Sequence, residues 1–537
     1  MHLLAQGLSP IGNQWSRPMT LILKPGTSWT EAYSRCRTVA PEAFAPEHLR
    51  NLARGDWSDV GRTVPHLSPV DGMPMIGPSV VDAPIAVEAI EHACIAHETW
   101  SRTTLERRRE LVSEVLDLLG TQRELLALLL VHEIGKPWRL ALADVDRCLD
   151  GVRWYVDVVQ DQLAAFGQPR VPLPGPVSNI ASWNYPMSVQ IHAELVQLLC
   201  GNAVVAKTPS QGGFHCLTLA HALMHRVGLP VTLLSGEGAQ IGEALVRTPG
   251  IGAIAFVGGR ATGRRAAISM ADPRLRHIYE QEGLNTLGVW DYSDWDTLAA
   301  QITKSFEYAK QRCTAYPRFI VQRRLFPDFY EAYRRGMAGV RFGNPLAVAA
   351  ADDPLPELTF GPVINAAKAA RLRGQLEEAL GGGAIPLHLG SLDDAWLLPD
   401  QDAGAYSPPA CVLAPASSWS LHHSEPFGPL DSVVIVDSEA ELIGAMNISN
   451  GSLVATISTD DLAFAEQLRT QIQAFKVGVN TLRSRGDRDE VFGGLGQSWN
   501  GAFVGGDLLV QALTYGPEGA DEDLYGNYPA RLVLPNR

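Results

Sequence analysis

Three side chains in this sequence have the types and the chain order that a covalent reaction at a carbonyl needs. Cys313 sits in Gln311-Arg312-Cys313-Thr314-Ala315. Glu280 lies upstream in Tyr279-Glu280-Gln281-Glu282-Gly283-Leu284-Asn285, and Asn184 further upstream in Ser182-Trp183-Asn184-Tyr185-Pro186. A thiol can attack a carbonyl carbon, a carboxylate can take a proton from water, and an amide can donate to the oxyanion that the attack creates. Each residue also has an ordinary reading. A cysteine is most often core packing, an acidic cluster a solvated turn, and Asn before an aromatic-Pro pair a loop builder. Lys310 and Arg312 favour the functional reading of Cys313, because nearby cations favour thiolate. Cys200 ends the apolar run 195–199 and reads as packing. A carboxylate pair such as Glu280 and Glu282 raises one pKa, which suits a base working near neutral pH.

Other residues point to a bound ligand. Lys207 ends an apolar run and precedes Thr208-Pro209-Ser210. A lysine at the carboxyl end of a strand in an α/β sheet is placed to meet a ribose or phosphate. Gly258, Gly259 and Gly263 follow a strand and open a helix, where glycines let phosphates approach backbone amides. They do not match GxGxxG. Glu425 precedes Pro426-Phe427-Gly428-Pro429, a rigid turn that would hold its carboxylate still against a ribose diol.

The elements that must position these groups follow from the apolar pattern. The region 86–119 has helical spacing, with a charged, exposed run at 106–110. A strand at 179–181 leads into the Asn184 loop and a helix over 189–200. A buried strand at 203–206, helices at 213–227 and 241–247, and strands at 231–234 and 251–257 follow. This alternation predicts an α/β fold with a parallel sheet. A second alternating region over 286–474 predicts a second α/β domain. The first 65 residues, with Pro18, Pro25, Pro41 and Pro46, read as a separate segment that wraps the body. The Gly/Pro/Tyr-rich end from residue 501 reads as a docking arm.

A chain of 537 residues is too long for one simple core. With 46% hydrophobic and 19% charged residues it is globular. A net charge of -14 argues against nucleic acid or anionic membrane as a general partner. Its 7 cysteines are odd in number and lack CxxC spacing, which predicts no disulfide framework, no metal site and a reducing compartment. Residues 1–15 show no secretory pattern and no run is long enough to span a membrane, so the expectation is a cytoplasmic protein.

Taken together, the segments resemble the aldehyde dehydrogenase superfamily over residues 68–503. The matching pieces are Ser68-Pro69-Val70-Asp71-Gly72, Glu133-Ile134-Gly135-Lys136-Pro137, Trp183-Asn184-Tyr185-Pro186, Lys207 with Pro209-Ser210, and the stretch 256–259. Glu280, Gln311-Arg312-Cys313-Thr314-Ala315, the stretch 425–429 and Phe492-Gly493-Gly494 complete the set, in order and spacing. The resemblance implies a Rossmann-type NAD(P)-binding domain (66–150 and 173–281) and an α/β catalytic domain (282–499). It also implies an oligomerisation element with a C-terminal tail (151–172 and 500–537), beside the N-terminal extension (1–65). By matching position, Cys313 is the nucleophile, Asn184 and the Cys313 N–H the oxyanion donors, and Glu280 the general base. Lys207, Ser210, Gly258, Gly259, Gly263, Glu425, Phe427 and Trp183 are the cofactor residues.

The implied cofactor is NAD, with NADP not excluded, because Ser210 and Gln211 stand where NAD-specific relatives carry an acid. The implied assembly is a homodimer or homotetramer. The implied reaction is aldehyde to carboxylic acid through a thiohemiacetal and a thioester. Trp183, Tyr185, Tyr308 and Tyr316 suit an aromatic aldehyde, and Arg312, Arg483, Arg485 and Arg488 suit an acidic semialdehyde. The sequence departs from the family pattern at Lys310 and Glu282 (usually Gly), Leu284 (usually Lys) and Gly259 (commonly Ser), and loosely over 494–498. Two alternatives stay open: a fold retained as a catalytically impaired scaffold subunit, and a relative that passes the acyl group to coenzyme A.

Overall fold

Runs such as Val204-Val205-Ala206 lack polar alternation, and they fold as strands buried on both faces of parallel sheets. The computed structural model describes residues 20–164, 170–272, 274–449, 451–483, 488–517, 521 and 524. Residues 1–19, Arg485 and the tail beyond Leu524, all parts of the sequence reading, lie outside the described residues.

Two sheets organise the chain. The first begins with β1 (Asn51–Ala53), β2 (Asp56–Ser58), β3 (Val177–Ile180), β4 (Val204–Lys207), β5 (Val231–Leu234), β6 (Ala253–Gly258) and β7 (Arg276–Gln281). The second is built from β8 (Thr286–Val289), β9 (Arg318–Gln322), β10 (Ile385–Leu389), β11 (Ala410–Leu413), β12 (Leu430–Val436), β13 (Ser452–Ser458) and β14 (Ala474–Val479). A last strand, β15 (Trp499–Gly501), returns to the first sheet, whose order is β15-β7-β6-β3-β4-β5-β1-β2. Its middle strands β7, β6, β3, β4 and β5 are parallel. The chain runs outward through β3, β4 and β5 in one direction and through β6 and β7 in the other. Such a reversal opens a crevice at the carboxyl ends of the strands. The second sheet, β10-β11-β12-β9-β8-β13-β14, is parallel except for its edge strand β10. The chain leaves the first sheet at Gln281 and enters the second at Thr286, so residues 282–285 join the two.

Helices cover the first sheet: α1 (Trp29–Val39), α2 (Ala83–Trp100), α3 (Leu105–Thr121), α4 (Arg123–Ile134), α5 (Trp138–Ala164), α6 (His192–Leu199), α7 (Phe214–Arg226), α8 (Gly238–Arg247) and α9 (Arg260–Ser269). From Leu125 to Ile134 every residue of α4 is buried, as an all-round apolar helix must be.

The structure differs from the sequence reading in four places. The N-terminal segment expected to wrap the body joins the first sheet as well. β1 and β2 extend the β5 edge, and α1, started by a Ser28–Glu31 capping box, lays Trp29 against the His215 ring at 4.6 Å. The single helical pattern at 86–119 is two helices, because Thr104 caps α3 by accepting the Arg107 N–H. Within the charged run 106–110, Arg108 is buried. The expected helix over 189–200 starts instead as a π-turn, Pro186–Ile191, which widens the backbone just after Asn184. Near the chain's end, Thr514–Tyr515 pairs antiparallel with Val171–Pro172, and Asp521 takes ion pairs from Arg170 and Arg276. No helix among the described residues is long and apolar enough to cross a membrane.

Because α4 is enclosed on all sides, Leu129→Ala should lower unfolding stability by about 2–5 kcal/mol in a urea titration.

Candidate active site

Cys313 follows a short turn, Glu307–Lys310, in which Tyr308, Ala309 and Lys310 have φ of 58°, 52° and 55°. Left-handed backbone costs a residue with a side chain about 1–3 kcal/mol, so three in a row persist only where their surroundings over-determine them. Lys310 occupies the place where the family pattern has glycine, and this backbone is the reason. Its side chain does not enter the site. It is 1% exposed and runs into the second sheet, where its ammonium pairs with Asp431 at 2.9 Å. The expectation that the Lys310 charge favours a thiolate is therefore corrected: the charge is met by Asp431. Burial drives the Asp431 carboxyl up to about 6 and pulls the Lys310 ammonium down, each opposed by the other.

Beyond the turn, Gln311 accepts the Ile364 N–H at 2.9 Å through its side chain. The Asn285 amide donates to the carbonyls of Cys313 (2.7 Å) and Ala315 (2.8 Å), and its oxygen accepts two N–H groups of β13. Asn285 thus fixes the Cys313 peptide. The sequence reading passed over it because nothing local marks an asparagine whose partners lie on other strands.

Asn184 is 6% exposed, and its Nδ2 donates to the Gln311 carbonyl at 3.0 Å. A side-chain amide has two N–H donors, so one is not used by this bond. The Asn184 carbonyl accepts from Lys136 Nζ at 2.9 Å, and Ser182 donates to its side-chain oxygen. Lys136 pairs with buried Asp144 at 3.0 Å and lies 3.9 Å above the Tyr185 ring and 4.7 Å from that of Tyr308. Asp144 in turn accepts the Ser188 N–H of the π-turn at 3.0 Å. The sequence quoted Lys136 only as part of a matching segment and gave Asp144 no role.

Glu280, 2% exposed on β7, lines the same cavity of about 610 Å³ as Cys313. Arg147, Tyr185, Arg312 and Tyr316 line it too, and Arg483, Arg488, Glu490, Phe492 and Trp499 stand further along its wall. Of the aromatic residues expected there, Tyr185 and Tyr316 reach the cavity. Trp183 and Tyr308 instead pack edge-on at 6.3 Å outside its lining, and Trp183 meets Phe427 at 5.9 Å.

The remaining candidates lie after β4 and β6 of the first sheet and on the loop before β12 of the second. Lys207 ends β4, its Nζ donates to the Thr208 carbonyl at 2.8 Å, and burial alone lowers its pKa to about 8. Ser210 is exposed nearby. Gly258 and Gly259 lead into α9, whose first turn has no side-chain cap. A Cβ on Gly259 would lie 3.7 Å from the Glu282 carboxylate. Gly263 serves packing instead: it is buried, and a Cβ there would come within 2.9 Å of Gln281 and Phe256. Glu425 is buried with neither carboxylate oxygen hydrogen-bonded among the described residues. Burial drives its carboxyl well above the usual range. Glu282 adds to this, against the pull of Lys368 and Arg260.

The Glu425 environment has a consequence for stability. Its folded pKa lies above the ordinary 4.5, so above that pH the folded chain holds a proton that the unfolded chain has lost. Stability therefore falls as pH rises through this window. Melting temperatures of ligand-free protein from about pH 5 to 8 should fall less steeply in Glu425→Gln than in the unsubstituted chain.

Comparisons with known proteins agree with this arrangement. A model of the aldehyde dehydrogenase family matches residues 57–515. The chain is 27% identical to NADP-dependent glyceraldehyde-3-phosphate dehydrogenase of Pisum sativum, covering 86% of this chain and 93% of the pea protein. It is 26% identical to alpha-ketoglutaric semialdehyde dehydrogenase of Bacillus subtilis (strain 168), covering 83% and 93%. The crystal structure of NADP-dependent glyceraldehyde-3-phosphate dehydrogenase from Bacillus halodurans C-125, complexed with NADP, superposes with a TM-score of 0.77 at 26% identity, covering 87% and 97%. The matched span takes in the second sheet, the first sheet from β3 onward and every candidate residue named above: this chain belongs to the aldehyde dehydrogenase family, a family of oxidoreductases.

Proposed function

We propose that this chain oxidises an aldehyde carrying an anionic group to the carboxylic acid, with NAD(P) as the hydride acceptor. The observation that carries the reading is the shared cavity. Cys313 and Glu280 face one space, and cations line the same space.

The candidate cofactor residues fit a dinucleotide. Glu425 has a buried carboxyl group with no protein partner, and a ribose diol would supply hydrogen bonds to it. Lys207 offers an ammonium at the end of β4, and the uncapped start of α9 offers backbone N–H groups to phosphate. Ser210 and Gln211, which follow Lys207, carry no charge to repel a 2'-phosphate. This favours acceptance of NADP as well as NAD. The bound nicotinamide supplies the hydride acceptor.

The protein's own groups divide the remaining work. The Cys313 thiolate attacks the carbonyl carbon. The second Asn184 N–H and the Cys313 N–H hold the oxyanion. Hydride loss from that carbon leaves a thioester on Cys313. Glu280 takes a proton from water, and the water hydrolyses the thioester to release acid and thiolate. The segment through β7 forms the cofactor half and β8 to β14 the catalytic half. The pairing of Thr514–Tyr515 with Val171–Pro172, where Val171 is 54% exposed, is offered as the oligomerisation element.

The anionic preference rests on which cations remain available. Arg483 and Lys476 both meet Glu490, at 2.9 and 2.6 Å, and Arg488 meets Asp150 at 3.5 Å. Arg147 is exposed and makes no ion pair with the described residues. Arg312 donates to the Ser305 carbonyl at 3.2 Å and reaches Glu307 at 3.8 Å, while its Nε has no hydrogen-bond partner among the described residues. The pea and Bacillus subtilis relatives are named for aldehydes that bear a phosphate or a carboxylate.

Cys313→Ala should abolish NAD(P)H formation at 340 nm while leaving NAD(P) affinity by calorimetry within about twofold. Arg147→Met and Arg312→Met should each raise KM for an anionic aldehyde by about tenfold or more and leave a neutral aldehyde of equal size unaffected. Equal losses on both aldehydes would overturn the anionic reading.

A further inference from the structure

We infer that Lys310 is a positioning residue: its ammonium, paired with Asp431, closes the segment that carries the nucleophile and fixes where Cys313 stands. The inference rests on the proposed role of Cys313. Lys310 Nζ makes three polar contacts: Ser305 Oγ at 2.8 Å, the Tyr316 carbonyl at 2.9 Å and Asp431 Oδ1 at 2.9 Å. The first two are hydrogen bonds donated by the ammonium, and the third is an ion pair. The identity of the partners is what matters. Ser305 ends the helix Trp295–Ser305 just before the left-handed turn, and Tyr316 follows Cys313. One ammonium therefore ties the entrance of the segment 305–316 to its exit, with Cys313 inside the closure. Asp431 anchors the tie to β12 and accepts the Tyr333 hydroxyl at 3.0 Å. The Phe306 ring lies 4.2 Å from the ammonium and shuts it from water.

Stability alone does not account for this arrangement. Replacing a fully buried ion pair by apolar side chains is often neutral or stabilising. Glycine at position 310 would also relieve the left-handed backbone. The chain keeps a strained residue and a desolvated pair here. What they supply that glycine does not is a fixed distance between Ser305, Tyr316 and β12. A displacement of about 1 Å at a reacting group lowers rate by about a hundredfold, so such a fixed distance bears directly on turnover.

Lys310→Met alone leaves Asp431 uncompensated in the core and can unfold the chain. The test therefore uses Lys310→Met/Asp431→Asn, which removes both charges, and Lys310→Gly/Asp431→Asn, which also removes the backbone strain. Thermal melting, NAD(P) titration, kcat and KM, and the rate of Cys313 alkylation by iodoacetamide in cofactor-free protein are measured for each. The expected result is melting near that of the unsubstituted chain and NAD(P) affinity within about twofold, with kcat and alkylation rate each lowered by about tenfold or more and KM little changed. A folded double variant with unaltered kcat and alkylation rate would overturn the proposal, and so would a loss of rate that merely tracks a loss of folded protein. The glycine variant decides the matter if the methionine variant does not fold. Failure of the underlying reading is distinguishable, because it would appear in the unsubstituted chain as aldehyde oxidation that survives Cys313→Ala.

Discussion

The 3.0 Å bond from the Asn184 amide to the Gln311 carbonyl joins a loop of the first sheet to a loop of the second, and the site exists only where those loops meet. Neither loop holds its shape through local preference. The Asn184 loop leads into a π-turn, and the Gln311 loop follows three left-handed residues. Each is held by a buried lysine paired with an aspartate: Lys136 with Asp144 on one side, Lys310 with Asp431 on the other. Tyr308 stands between the two systems, its ring 4.7 Å from the Lys136 ammonium and its backbone in the turn that ends at Lys310. Desolvated pairs of this kind add little net stability. Their effect is to fix geometry between parts of the chain that meet only in the folded protein.

Much of this was legible in the sequence. Parallel strands buried on both faces must be written as short apolar runs, and β4, β5 and β6 lie where those runs fall. Cys313, Glu280 and Asn184 could be named from their segments; Cys313 and Glu280 line one cavity, and Asn184 donates to the Gln311 carbonyl. Partnerships across the chain were not legible. Lys310 reads locally as a cation beside a cysteine. Only the fold brings Asp431 to it and ties the ammonium to both ends of the loop. Asn285, Asp144 and the buried Arg108 escaped for the same reason, since each is defined by groups distant in sequence. The first strands, β1 and β2, looked like a separate segment because an edge strand needs no long apolar run to pair.

The candidate cofactor residues show the opposite balance. There the chain keeps groups whose contacts within the protein are incomplete: the Glu425 carboxylate without a donor, the Lys207 ammonium on a single carbonyl, the start of α9 without a cap. Such groups weaken the ligand-free fold and gain partners from a ligand that brings hydroxyls and phosphates. Glu282, beside Gly259 and acting on Glu425, adds a negative charge that such a ligand must meet. Arg260 and Lys368 interact with Glu282 and with Glu425 in the opposite sense.

The most direct test of the account is the mass of Glu280→Gln after reaction with an anionic aldehyde and NAD(P). With the base removed and the thiol intact, the acyl group should remain on the peptide containing Cys313, with about one equivalent of NAD(P)H formed per chain. Sustained turnover without an adduct, or an acyl group on any other residue, would contradict it.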